Sequence, residues 1–259
     1  MNSAGTPTKS PAQTNHLWEI IPYGEDALLL RHSDCAAVAP LVASLKNLAD
    51  PRIGEIVPSY GSILVLKGNP GAIRGVSGKK LCGNSPKSDL DDLCELKTLI
   101  LGVLNTPPPI ETVSGKTFLV PCCYGMGPDL QEAALTLKLT QKDLIRLHSQ
   151  TQYTIYAVGF QPGFPYAGWL PAELTGLPRR GSPRTRVEPG SVGITGRQTG
   201  IYPGASPGGW NLIGVTPCKL VDLERGWFAF TPGDRIRFVP IDPTEFAQRL
   251  GSEPTVVEG

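Results

Sequence analysis

The sequence predicts an α+β protein in two parts, a small α/β domain over residues 16–110 and a β-rich domain over residues 111–248. Three observations carry that reading. Short strand-like runs share the first part with two helical spacings. Pro107-Pro108-Pro109 then makes the chain stiff and extended, as at a domain boundary. Beyond a first strand and two short helices, six strand-like runs separated by turn residues give the pattern of a barrel or sandwich. Residues 1–15 are polar with almost nothing to bury, and they and residues 249–259 are expected to be tails.

In the first part, LWEII, ALLLRH, IGEIVPS and SILVLKG read as strands. Val38, Leu41, Val42, Leu45 and Leu48 fall at helical spacing, as do Leu90, Leu93, Leu96, Leu99 and Ile100 over 89–104. Between these, Gly68 to Ser88 is rich in Gly, Lys, Ser and Asn and is expected to be an exposed loop. In the second part KTFLVPCCY opens as a strand, and helices are expected over 129–138 and 142–149. Thr140 and Asp143 give the latter a capping-box-like start. TIYAVGF, SVGIT, NLIGVT, KLVDL, WFAFT and DRIRFVP complete the strand set.

Charge excludes some functions. Lys plus Arg number 24 against 23 Asp plus Glu, so a net charge of +1 provides no field for nucleic acid or an anionic membrane. No run approaches the roughly 20 apolar residues of a membrane helix, and residues 1–15 lack a signal-peptide core, so a cytoplasmic location is expected. The six cysteines show no C-x-x-C pair and stand apart from the three histidines, so reduced thiols and no metal site are expected. Strand alternation would turn one of Cys122 and Cys123 inward and the other outward.

From Gly159 to Val221 glycine, proline and arginine recur among aromatics. Nine prolines there fix φ and remove donors, so the stretch is expected to be largely loop with short strands between. Phe160, Phe164, Tyr166, Trp169, Tyr202 and Trp210 argue against disorder. Two readings remain: a binding surface where glycines let backbone approach a ligand, or barrel corners that need Gly and Pro for geometry alone. Arg179, Arg180, Arg184, Arg186 and Arg197 suit an anion, or pair with Glu173 and Glu188 in a solvated turn. Gln198, Thr199 and Tyr202, close to glycines 196 and 200, suit an amide-bearing ligand or satisfy loop backbone. His148, at a helix end, is either a general base or a dipole partner.

Motifs for self-contained catalysis are missing. GKK at 78–80 and GKT at 115–117 fail as P-loops because their leading glycines would fall at Ile73 and Ile110. The chain has no G-x-S-x-G elbow, H-E-x-x-H pair or dinucleotide fingerprint.

In order along the chain, GFQPGFPYAGWL, PRRGSPRTRV, GSVGITGRQTGIYP and SPGGWNLIGVTP resemble the allophanate hydrolase subunit 1 family, also described as carboxyltransferase subdomains C and D. The resemblance spans roughly Leu17 to Phe246 and lies nearest the B subunit of bacterial ATP-dependent 5-oxoprolinase. The family also includes the KipI inhibitor of a histidine kinase and a segment of urea carboxylase. Thr195 and Glu188-Pro189 depart from its common pattern. The resemblance implies a cyclophilin-like β-barrel after a small α/β domain. It also implies a subunit 2 partner, the 5-oxoprolinase C subunit, together with an A subunit, and ATP whose site is shared with or supplied by a partner. Homodimerisation is a further expectation. The activity implied is opening of 5-oxo-L-proline to L-glutamate by a hydrolase subunit inactive alone. Kinase inhibition is the alternative, and half of a biotin-dependent carboxyltransferase the third reading. The candidate catalytic residues are His148, Arg180 and Arg184. The candidate substrate-binding residues are Phe160, Pro162, Phe164, Gln198, Thr199, Tyr202, Ser206 and Trp210.

Overall fold

A computed structural model describes residues 18–68, 89–106 and 115–257, and the chain divides into two units, Met1–Glu111 and Thr112–Gly259. The expected N-terminal tail, the loop after Gly68 and the triple proline lie outside the described residues.

In the first unit, alternating apolar residues build an antiparallel sheet. Strands β1 (Glu19–Pro22), β2 (Ala27–Arg31), β3 (Ile53–Pro58) and β4 (Ser62–Lys67) pair in the order β1-β2-β4-β3. Leu28 and Leu30 on β2 and Ile63 and Val65 on β4 are buried. Helix α1 (Val38–Asn47) buries Val38, Leu41, Val42 and Leu45, the i, i+3, i+4, i+7 face that the spacing predicts. Helix α2 (Asp89–Leu104) adds Leu93, Leu96 and Ile100 to the same core. Each such side chain contributes on the order of 1.5–3 kcal/mol by leaving water.

The second unit begins with β5 (Thr117–Cys122), α3 (Leu130–Thr136) and α4 (Gln141–Gln150). Thr140 caps α4 as expected. Its hydroxyl accepts from the Asp143 N–H at 3.1 Å and donates to the Asp143 carboxylate at 2.6 Å. Strands β6 (Gln152–Val158), β7 (Pro165–Gly168), β8 (Arg184–Val187), β9 (Ser191–Thr195), β10 (Gln198–Ile201), β11 (Ser206–Gly208) and β12 (Asn211–Val215) follow. The chain continues through β13 (Val221–Asp222), β14 (Trp227–Phe228), β15 (Arg235–Pro240), α5 (Pro243–Gln248) and β16 (Thr255–Val257). Eight of these strands form one sheet in the order β12-β9-β10-β7-β6-β15-β5-β16. The pairs β8–β11 and β13–β14 stand apart from it.

Three sequence expectations are corrected here. The barrel is not closed. The sheet brings β5 and β12 together only through a bridge between Cys123 and Val215, whose backbones exchange hydrogen bonds of 2.8 and 3.1 Å. β16 occupies the edge of β5 that a continuous ladder would need, pairing Val257 with Thr117 and Thr255 with Leu119. The expected C-terminal tail therefore contains a sheet strand. Likewise Cys122 and Cys123 do not alternate in burial. Both are buried free thiols, because the strand ends at Cys122 and Cys123 is drawn into the bridge with Val215.

Between β8 and β9 the chain turns through Gly190 at φ 81°, a conformation costly for any residue with a side chain. A methyl group there would also fall on the Thr216 carbonyl oxygen, in a turn where the Thr216 N–H donates to the Gly190 carbonyl at 2.8 Å. Gly190→Ala is expected to destabilise the second unit by about 2 kcal/mol or more, read as a lowered urea midpoint. An unchanged midpoint would show that the turn relaxes freely.

Candidate functional site

Asp129, directly before α3, organises the arginines of the signature segment. It is 3 % exposed. Its Oδ1 accepts from Arg184 Nη2 at 2.6 Å and from Arg180 Nη1 at 2.9 Å, and its Oδ2 accepts from the Leu212 N–H at 2.7 Å. The Asp129 N–H in turn donates to the Leu212 carbonyl at 2.9 Å. One buried carboxylate thus ties the 180–184 loop to α3 and β12. Arg180 also reaches the exposed Glu132 at 3.2 Å. The two guanidiniums share the buried carboxylate, Glu132 adds a second, exposed counter-charge on Arg180, and Arg184 Nη1 is buried without a hydrogen-bond partner. The solvated pairing expected for this segment holds only for Arg186, which meets Glu188 at 2.7 Å.

His148 lies wholly inside the second unit. Its Nδ1 sits 2.7 Å from the Tyr124 hydroxyl, and its Nε2 sits 2.9 Å from Thr199 Oγ1. The Thr199 hydroxyl donates to the Gly193 carbonyl at 3.2 Å, so it accepts from His148, which fixes the Nε2–H tautomer with Nδ1 accepting from Tyr124. Phe238 stacks on the imidazole at a centroid distance of 4.5 Å. Burial pushes the His148 pKa down to about 3, so the ring is neutral at physiological pH. Burial likewise raises the Tyr124 and Cys122 groups beside it.

The residues expected to bind substrate separate into two sets. Thr199, Phe164, Tyr202 and Trp210 are core groups, the last three packed edge to face with one another or with Tyr166. Phe160, Pro162, Gln198 and Ser206 reach the surface or its margin. Phe160 is 63 % exposed and adopts φ 68°, with its ring edge-on to Phe164 and Tyr202. Gln161-Pro162-Gly163-Phe164 closes a turn through Phe164 N–H to the Gln161 carbonyl at 3.1 Å, with Gly163 at φ 79° as a type II turn requires. The Gln161 side chain donates to the Gly204 carbonyl at 3.3 Å and to Ser206 Oγ at 3.4 Å. The result is an open depression of about 390 Å³ lined by Val158 to Gly163 and by Phe228. Asp129 and Gln161 are not among the candidates that the sequence offers. Gln161 lies inside GFQPGFPYAGWL and could have been found there, whereas nothing local to Asp129 signals partners some fifty residues downstream.

Of the two P-loop-like runs, only residues 115–117 of the second fall among the described residues. The Lys116 N–H donates to Asp234 at 2.9 Å, and Thr117 starts β5 rather than a helix. Among the described residues, no group of three or more His, Cys, Asp or Glu is placed to hold a metal ion, and no helix is long and apolar enough to cross a membrane.

Residues 18–230 match the carboxyltransferase domain family, subdomains C and D, and the chain belongs to that family. It is 50 % identical over 124 residues to an Escherichia coli O157:H7 protein named as the B subunit of 5-oxoprolinase, covering 47 % of this chain and 56 % of that protein. A protein of the same name from Haemophilus influenzae is 44 % identical over 133 residues, covering 50 % and 62 %. The chain therefore spans little more than half the length of these relatives. Among solved structures, that of TTHA0988 is similar at 32 % identity and a TM-score of 0.64, covering 83 % of this chain and 40 % of that one. Kluyveromyces lactis urea carboxylase shares the fold over 99 % of this chain and 25 % of its own, at 17 % identity and a TM-score of 0.66.

Proposed function

We propose that this chain serves as the B subunit of an ATP-dependent 5-oxoprolinase, opening 5-oxo-L-proline to L-glutamate together with A and C partner subunits. The observation that carries this reading is the 42–50 % identity to relatives named as B subunits of 5-oxoprolinase. In fold terms, the curled sheet of the second unit is read as cyclophilin-like. ATP supplies the driving force for opening an unreactive amide. The nucleotide site is read as shared with a partner or supplied by one.

In this proposal the chain's residues bind and orient. Ring opening breaks the lactam C–N bond, leaving the water-derived hydroxyl on the carbon and a proton on the nitrogen. Negative charge builds on the carbonyl oxygen meanwhile, and the guanidinium donors of Arg180 and Arg184, fixed by Asp129, favour it. Phe160, Gln161 and Ser206 hold the amide. His148, enclosed and neutral, acts as a positioning residue that fixes Thr199 and β10 rather than moving a proton itself.

The test is ATP-dependent glutamate release from 5-oxoproline by the purified chain mixed with candidate A and C subunits, each omitted in turn. Activity is expected only in the full mixture. Turnover that persists without this chain overturns the assignment. No turnover from a folded, assembled mixture moves the carboxyltransferase and kinase-inhibitor readings ahead.

A further inference from the structure

We propose that Phe160 is a ligand-contact residue for a small cyclic amide, stacking on its ring in the depression shared with Phe228 while Gln161 Oε1 accepts its N–H. The inference rests on the hydrolase reading above and names the subsite it needs.

Backbone strain is the first observation. Phe160 sits at φ 68°, where a residue with a β-carbon is disfavoured. The same short segment places glycine at 163 where its turn needs a positive φ, and Val221 leaves no space there for a side chain. At 160 glycine would satisfy the backbone equally well. A phenylalanine that is 63 % exposed gains little from burial, and its protein contacts are edges of Phe164 and Tyr202. What the ring has to offer lies on its open side.

Polarity is the second. Gln161 spends its amide N–H groups on Gly204 and Ser206, which fixes the side chain, while Oε1 accepts no hydrogen bond among the described residues. Its depression, about 390 Å³, is otherwise apolar and carries a second aromatic ring, Phe228. An open, shallow apolar depression with the fixed Gln161 among its lining residues fits a small ring bearing a single N–H donor. The loop is already held by the Phe164-to-Gln161 and Gly159-to-Phe164 hydrogen bonds of 3.1 Å, so little conformational entropy is lost on binding.

The experiment measures dissociation constants of 2-pyrrolidinone and 5-oxo-L-proline by ligand-observed NMR, with melting temperatures, for the full chain and its Phe160→Ala, Phe160→Gly and Phe160→Tyr variants. Both Ala and Gly variants are expected to bind both probes about tenfold more weakly, and the Tyr variant within about twofold of the parent. Phe160→Gly is expected to melt above Phe160→Ala, since only glycine relaxes the backbone. Unchanged affinity in the Ala variant, or no binding of either probe by the parent chain, overturns the proposal. Binding that follows this pattern without turnover in the reconstituted mixture sinks the hydrolase reading and leaves the subsite standing.

Discussion

Asp129→Ala is expected to cost the second unit about 3–5 kcal/mol of folding stability, because it removes one partner of a desolvated ion cluster and leaves the others in place. Arg184 and Arg180 would keep their charge against a side chain that accepts nothing, and the buried Leu212 N–H would lose its acceptor. In a unit of this size such a loss lowers the melting temperature by roughly 10 °C. Asp129→Asn tests the cause. Its single carbonyl oxygen can serve the arginines or the Leu212 N–H but not both, so about half the loss is expected. Urea unfolding followed by circular dichroism reads both variants. A loss under about 1 kcal/mol for the alanine variant would mean that the cluster behaves as a solvated surface pair. Because the same carboxylate aims the arginines, glutamate release in the reconstituted mixture should fall even where the protein remains folded.

The contrast between Asp129 and the α4 cap shows what a sequence can disclose. Thr140 and Asp143 are three residues apart and interact within one turn, so the cap is readable locally. The helical faces of α1 and α2 are readable for the same reason, since Val38, Leu41, Val42 and Leu45, and Leu93, Leu96 and Ile100, recur at the spacing that buries them, whereas Leu48, at the same spacing, falls at the end of α1 and is exposed. Asp129 acts on residues far along the chain, and only the pairing of distant strands brings them near. Nor does the sequence separately mark β7, β10 and β16. They are three or four residues long, and β7 and β10 carry glycine, so their strand character comes from neighbours rather than from their own composition. Among the expected site residues, aromatic type marks Phe160 and Phe164 alike. Only the fold separates the exposed ring from the buried one.

Below neutral pH the wild-type chain is expected to lose stability in a window that belongs to His148. In the unfolded chain the imidazole titrates near 6.5, whereas burial holds it at about 3 in the folded state. Between those values the unfolded state binds a proton that the folded state refuses. The contribution is therefore complete above pH 6.5 and is lost as pH falls toward 3, by at most about 1.4 kcal/mol per pH unit and by roughly 3 kcal/mol at pH 4. Neighbouring groups do not imitate this slope, since Tyr124, Tyr153 and Cys122 are all pushed upward by burial. Asp50 in the first unit, held at about 2 by Arg52, adds acid sensitivity only below its ordinary value of 3.8. His148→Gln keeps a polar group between Tyr124 and Thr199 but cannot titrate, so it should be less stable at pH 7 and flatter between pH 6.5 and 4. Urea midpoints across that range for both proteins decide the matter. Converging curves on acidification confirm an enclosed neutral histidine, while parallel curves would mean that the ring takes up its proton in the folded state and is open to proton transfer after all.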